Sequence, residues 1–426
     1  MSDFDIAKAR ANFPALNTGF IFADNAGGSQ VTQSVVDRIS DYLINTNVQI
    51  GADYSVSVES TRRSMIEAPE QAAKLFNARS PSEIVFSSSS TMNLENLSRA
   101  LESDIKAGDE FIVTTEHEAN VGPWKKLAAR TGAVVKVWKA SPTVADNPYS
   151  LSLKVEELLP LVTSKTRIVA FTACSNILGS IVPVQEIVSA LRTDAKLKGV
   201  SKLEVSVDCV AYSPHRLIDV QAWDVDFVVF SFYKVYGPHI SALYVRSETL
   251  HASTKALVHH FLKSDHTSYK LQPGGPGYEC AYATTGAVDY LLSLTPYQDL
   301  KKTFDAIAVH EQKLVAPLLE FLTAPAQRKR GVRVVGEEQI NLSRVPTISF
   351  VVVGQNPIKS KDIVKFFDQK GGIGIRYGHF YAYSMVKELM PEIDIDDGVV
   401  RISLVHYNTV EETNRIIEIL REVLAH

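Results

Sequence analysis

Seven short apolar runs between residues 83 and 246 constrain this chain more than any other feature. They are EIVFSS (83–88), EFIVTT (110–115), AVVKVWK (133–139), RIVAFTA (167–173), LEVSVD (203–208), DFVVFS (226–231) and SALYVR (241–246). Each has the length and the β-branched or aromatic content of a strand. Runs that are apolar at nearly every position belong to strands covered on both faces. Helical patterns such as VEELLPLVT and VQEIVSALRTDAKL lie between several of them. The alternation predicts an α/β fold built on a mostly parallel seven-stranded sheet with helices over it. Beyond about residue 295 the texture changes. TISFVVVG (347–354), KDIVKFFDQKG, GVVRISLVHY (398–407) and TVEETNRIIEILREVLA read as strand, helix, strand and helix, a smaller α+β domain. The expected division is an N-terminal segment (1–20) joining the small domain, a large domain (21–295) and a small C-terminal domain (296–426).

Charge narrows the function classes. The formal net charge of −4 is spread without blocks of like sign, so neither nucleic acid nor a membrane surface has a footprint here. No apolar run approaches the roughly 20 residues that span a bilayer. The polar, early-acidic start MSDFDIAKARANFPAL has the character of neither a secretory signal nor a transit peptide, and a soluble, cytoplasmic protein is expected. Cys174, Cys209 and Cys280 are far apart and odd in number, which argues against a disulfide framework or a metal cluster and reads as three small buried hydrophobes.

In an open parallel sheet, ligands sit beyond the carboxyl ends of the strands. Polar residues gather at those ends here: Ser88, Ser89, Ser90 and Thr91 after the first run, EHEAN with His117 after the second, CSN with Asn176 after the fourth, and Asp208 closing the fifth. Ser231, Tyr233 and Lys234 follow the sixth, in VDFVVFSFYKVYGPH. Burial opposes an ammonium charge, so a lysine placed there loses its proton easily and becomes a nucleophile toward carbonyls. An acid facing a heteroaromatic nitrogen keeps it protonated and makes the ring an electron sink, and lysine with such an acid marks pyridoxal phosphate sites. Hydroxyls and N–H groups of a serine-rich loop opening a helix suit a phosphate. Each signal alone is weak, since an isolated lysine is usually a solvated charge and a serine run usually a loop. Their shared placement makes the joint reading strong.

These motifs identify a resemblance that runs nearly end to end, to the class V aminotransferase superfamily of fold-type I pyridoxal phosphate enzymes and its cysteine-desulfurase-like branch. FADNAGGSQ (22–30) resembles the family's N-terminal substrate-site segment, with Asn25 and Gly28. The resemblance implies that His117 stacks on the cofactor ring, Asn176 approaches its phenolic oxygen, Asp208 pairs with the pyridine nitrogen and Lys234 forms the imine. It also implies phosphate contacts from the Ser88–Thr91 loop, Ser231 and Tyr233, and a grip on the substrate α-carboxylate by Arg401, with Arg376 and His379 beside it. A homodimer with sites at the interface is implied as well.

The sequence also departs from the desulfurases. One group of them carries a nucleophilic cysteine in an arginine-x-Gly-His-His-Cys-Ala loop. The matching stretch here is Arg376-Tyr377-Gly378-His379-Phe380-Tyr381-Ala382, with tyrosine in the cysteine's place. A phenol of pKa about 10 cannot accept a sulfane sulfur as a thiolate does. Tyr381 is then a hydrogen-bond donor, an apolar wall or a proton shuttle, or else a core aromatic under the loop. Ala211 replaces a cofactor-binding glutamine, Tyr233 a phosphate-binding histidine, and Gly275, in LQPGGPGYE, a partner-chain threonine whose hydroxyl its backbone N–H is left to replace. The FIFADN start and YGHFYA loop resemble fungal enzymes of loline-type alkaloid pathways. The expected substrate is an α-amino acid or a derivative, processed through external aldimine and quinonoid intermediates. The expected outcome is elimination, replacement or a Mannich-type cyclisation in specialised metabolism. A carbon–sulfur lyase acting on cysteine or a cysteine conjugate is the alternative. A non-catalytic binding protein on a decayed fold is a third reading, opposed by the retained Lys234, Asp208 and His117.

Overall fold

The computed structural model describes residues 4–258, 270–389 and 393–425. All seven runs form strands: β1 (Ile84–Ser87), β2 (Glu110–Thr114), β3 (Val134–Trp138), β4 (Thr166–Thr172), β5 (Glu204–Asp208), β6 (Phe227–Ser231) and β7 (Ser241–Val245). They make one sheet in the order β1-β7-β6-β5-β4-β2-β3. β3, β2, β4, β5 and β6 are parallel, and β7 runs antiparallel to both neighbours, β6 and β1.

Alternate residues of most strands feed two separate cores, which is why those runs are apolar at nearly every position. β5 is the exception, with Glu204, Ser206 and Asp208 on its second face. Ile112, Val169, Phe171, Val205, Val207, Val228 and Phe230 face one way, against a cluster that includes Ile187, Val188 and Leu191 of α3 (Val184–Leu197). Phe111, Val113, Ile168, Ala170, Phe227 and Val229 face the other way, against Leu94 and Leu97 of α1 (Ser90–Leu101) and Trp124 and Leu127 of α2 (Gly122–Thr131). β3 corrects the sequence reading. It is an edge strand, and its Val134 is 50% exposed, because no strand covers its outer side.

Two of the strands that the sequence reading does not find are β8 (Val332–Val335) and β10 (Arg376–Gly378). With β9 (Thr347–Val352) and β11 (Val399–Ser403) they form a four-stranded antiparallel sheet, ordered β8-β9-β11-β10. α4 (Leu300–Thr323) joins the two regions: Leu300, Phe304 and Ile307 enter the core of the large sheet, and Leu314, Leu318 and Leu322 enter the core under the small one. α5 (Ser360–Lys370) and α6 (Val410–Leu424) complete that second core through Ile363, Phe367, Ile416 and Leu420. The N-terminal segment touches both regions, with the Phe13 ring packed on Tyr290 and on Tyr407.

The loop after β4 seats the small sheet on the large one. Gly179 holds φ +69, and a Cβ there would lie 2.1 Å from the carbonyl oxygen of Thr347, the first residue of β9. Its own carbonyl accepts the Val345 N–H at 2.9 Å. We expect Gly179→Ala to lower stability by more than the roughly 1–3 kcal/mol of a strained backbone alone, because β9 must also shift. The urea unfolding midpoint measures this.

Candidate active site

The parallel ladder aligns the strand ends. Thr172, the last residue of β4, pairs with Asp208, the last of β5, and Asp208 pairs with Val229 of β6, two residues short of Ser231. Beyond this edge lies a cleft of about 620 Å³. Ser89, Ser90, Thr91, His117, Asn176, Asp208, Ser231, Tyr233, Lys234, Arg376, Tyr381 and Arg401, all named from the sequence, line it.

Lys234 ends the short 3₁₀ turn Phe232–Lys234 that follows β6 and is 6% exposed. Desolvation, with help from Arg401, lowers its pKa from 10.5 to about 8. Burial acts oppositely on Asp208, raising its carboxyl to about 6 against the Val210 N–H, which donates to Oδ1 at 2.8 Å, and the nearby Lys234. Both groups therefore sit closer to neutrality than their ordinary values allow. Desolvation and the positive charges of Lys234 and Arg401 push His117 down to about 4, so its imidazole is neutral at working pH. Its Nδ1 accepts the Ala119 N–H at 3.2 Å. Ser89 caps α1, its Oγ accepting the Met92 N–H at 3.2 Å, and so the first turn of a 12-residue helix points its N–H groups at the cleft.

Arg401, on β11, is 2% exposed. Its Nη1 donates to the Asn176 carbonyl at 3.3 Å and its Nη2 to Asp24 Oδ1 at 3.0 Å, while the Phe380 ring covers its guanidinium at 3.8 Å. Arg376 Nε reaches the other oxygen of Asp24 at 2.8 Å. Phe380 and Tyr381 adopt left-handed backbone, φ 48 and 62. Asn176 Nδ2 donates to the Phe380 carbonyl at 2.9 Å and the Glu118 N–H to the Tyr381 carbonyl at 2.8 Å, and these bonds hold the strained turn in place. Tyr381 is no core aromatic: it is 70% exposed, with its ring centroid 5.5 Å from that of His117.

Five residues named from the sequence lie outside this chain's cleft lining. Asn25 is buried in the joint between the chain's two ends, donating to the carbonyls of Phe22 and Ser403 and accepting from Tyr407. Ala26 and Gly27 line the cleft in its place, and Gly28 packs behind them, where a Cβ would meet the Tyr233 ring at 3.3 Å. Ser88 is exposed and precedes the cap, outside the lining. His379 accepts the Tyr381 N–H through Nδ1 and packs on Tyr383, so it shapes the turn without facing the cleft. Gly275 is exposed and outside this chain's own lining, and its expected contact is with the cofactor of a partner chain.

Four residues at the site have no signal in the sequence. Asp24 lies within FADNAGGSQ, where nothing in the local pattern singles it out. Phe380 is the lid on Arg401. Glu116, next to His117, lines the cleft with Oε1 buried and unpartnered among the described residues, while Oε2 accepts from Ser175 Oγ at 2.8 Å. Desolvation, opposed by that hydrogen bond and reinforced by Asp208, raises its pKa to about 7. Cys174 also lines the cleft, which its sequence position did not reveal. Burial pushes its thiol up to about 12. Cys280 is only half-buried.

The cleft fits pyridoxal phosphate. It offers a buried lysine of lowered pKa, an acid at the adjacent strand end, a capped helix N-terminus, and two buried polar atoms without partners among the described residues, Asn176 Oδ1 and Ser231 Oγ. Similarity to known proteins points the same way. The family model described as aminotransferase class-V matches residues 21–416. The aminotransferase-like protein FGM3 of Gibberella zeae is 42% identical over 431 residues, covering 99% of each chain. The nonribosomal peptide synthetase-like enzyme fsqF of Aspergillus fumigatus is 32% identical over 97% of this chain, which spans 26% of that protein. The crystal structure of the cysteine desulfurase CsdA from Escherichia coli superposes with a TM-score of 0.79 at 25% identity, covering 99% of each chain.

Glu116 supplies a pH test. Its folded pKa of about 7 exceeds its ordinary 4.5, so the folded state holds the proton more tightly and stability is lost as pH rises from about 4.5 through about 7. Glu116→Gln, neutral throughout, is expected to unfold at higher urea than the natural apoprotein at pH 8 and to show no such gain at pH 4.

Proposed function

The chain belongs to the aminotransferase class-V family, and from that premise we propose that it transforms an α-amino acid, or a compound derived from one, by elimination, replacement or carbon–carbon bond-forming cyclisation, without passing sulfur to a protein cysteine. It is a pyridoxal phosphate-dependent enzyme. Bound in the cleft, the cofactor supplies an electron sink for the pair left when a bond to the substrate α-carbon breaks.

The chain's own residues divide the remaining work. Lys234 would carry the cofactor, and its free amine, which burial lowers to about 8, would take and return a proton near neutral pH once released. Asp208, ionised above about 6, keeps the proton on the ring nitrogen. The N-terminus of α1, with Ser89, Ser90 and Thr91, would hold the phosphate, and the neutral His117 would lie against the ring. Arg401 receives the α-carboxylate, its guanidinium plane set by Phe380. The homodimer expected from the family is part of the same reading. Exposed Val36, Leu43, Ile44, Tyr54, Val56, Val58 and Ile66 give it an apolar surface.

One observation carries the exclusion of sulfur transfer: the residue held over the cleft at the desulfurase cysteine's position is Tyr381. Cys174, the thiol that does line the cleft, is a poor substitute. With a pKa of about 12 it is almost wholly protonated at neutral pH, and the thiolate is the nucleophile. The name of fsqF supports a place in specialised metabolism. The likeness to CsdA favours the second reading, a carbon–sulfur lyase acting on cysteine or a cysteine conjugate. Incubating holoenzyme with a panel of amino acids, with the visible spectrum followed optically and products by mass spectrometry, separates the readings. Protein-bound persulfide after treatment with free cysteine would sink the first.

Two substitutions test the assigned roles. Lys234→Ala is expected to abolish turnover and the cofactor's characteristic visible band. Borohydride reduction of the natural protein should fix the cofactor on the Lys234 peptide alone. Tyr381→Phe keeps the ring and removes the hydroxyl. A fall in kcat of about 10²-fold or more with the cofactor spectrum unchanged is expected of a proton-transferring group, and unchanged kinetics would reduce Tyr381 to a wall.

A further inference from the structure

Three charges meet at one side of the cleft, and they are not equally fixed. Asp24 is tied to the small sheet: it pairs with Ser403 as a parallel bridge, and the preceding Ala23 accepts the Ser403 N–H at 2.7 Å. Arg401 is buried and held three ways, by the Asn176 carbonyl, by Asp24 and by the Phe380 ring. Arg376 differs. Its side chain is 57% exposed, and the Asp24 Oδ2 contact at 2.8 Å is its side-chain ion pair among the described residues. Breaking a buried pair leaves an uncompensated charge and is strongly unfavourable, whereas an exposed pair is weak in water and exchanges readily. Arg401 Nε is meanwhile buried without a partner among the described residues. Two guanidinium groups and one carboxylate leave one net positive charge, room for one further carboxylate.

We propose that Asp24 is an internal counter-carboxylate, which holds Arg376 until a substrate arrives and then yields it to the substrate's carboxylate while keeping Arg401. Asp24 thereby sets the threshold for carboxylate binding: a ligand must compete for Arg376 with a resident anion, and a weak or misplaced carboxylate fails to do so. This rests on the reading that Arg401 and Arg376 receive a substrate carboxylate.

The test titrates the visible spectrum of the holoenzyme with L-alanine and with ethylamine, an amine without the carboxylate. In Asp24→Asn the net charge at the arginines rises from one to two, and alanine is expected to bind roughly tenfold more tightly, the scale of one good charge contact, with ethylamine unchanged. Equal or weaker binding of alanine by Asp24→Asn, while the natural enzyme still prefers alanine to ethylamine, overturns the proposal and makes Asp24 a positioning residue. If neither protein prefers alanine, the carboxylate reading of the arginines falls and this proposal with it. Should Asp24→Asn fail to fold, a crystal structure of the natural holoenzyme with alanine bound decides. Arg376 displaced from Asp24 and directed to the ligand carboxylate supports the proposal, and an unbroken 2.8 Å contact overturns it.

Discussion

Desolvation at the carboxyl edge of the sheet is the constraint on which the site depends. Five neighbouring strands run parallel, so their last residues emerge together, and cores on both faces strip water from whatever stands there. The same burial lowers Lys234 to about 8, raises Asp208 to about 6, Glu116 to about 7 and Cys174 to about 12, and lowers His117 to about 4. Each shift favours the neutral form. The shifts bring Lys234, Asp208 and Glu116 within reach of titration near neutral pH, while on the arginine side the single carboxylate of Asp24 faces Arg401 and Arg376. A cofactor carrying a phosphate and a substrate carrying a carboxylate bring the charge that completes it.

What was legible in the sequence followed from local pattern. Most of the seven strands announced themselves because both of their faces are covered, so apolarity runs through nearly every position. β3 carried a similar pattern on an edge, and pattern alone could not show that one side lacks a neighbour. β8 and β10 were illegible for the opposite reason. Arg333 interrupts the valines of β8, and β10 is three residues long with a charged first residue, its strand character coming from pairing with β11, which is remote in sequence.

Site residues on strand ends were placed well, since the strand fixes where they emerge. Lys234, Asp208, His117 and Asn176 all reached the cleft. Residues on the loop at 24–28 were not. Asn25 turns inward because its amide bonds to Ser403 and Asn408, some 380 positions away in sequence (378 and 383), and no local signal encodes that. Asp24, one residue earlier, faces the arginines instead. In a loop of alternating polar residues the choice of which one faces the ligand belongs to tertiary contacts.

The turn at Phe380–Tyr381 joins these strands of argument. Two consecutive non-glycine residues in left-handed backbone are unfavourable, and such strain persists only where surrounding structure over-determines it. Here both carbonyls of the turn accept hydrogen bonds, from Asn176 and Glu118, and Phe380 is stacked on a buried arginine. A loop that handed sulfur to an outside acceptor would have to present its nucleophile first to the substrate and then to that acceptor. A turn pinned at two carbonyls and under one ring is poorly suited to such an excursion. It keeps the Tyr381 ring beside His117 at the mouth of the cleft, the geometry on which the proposed chemistry without sulfur transfer relies.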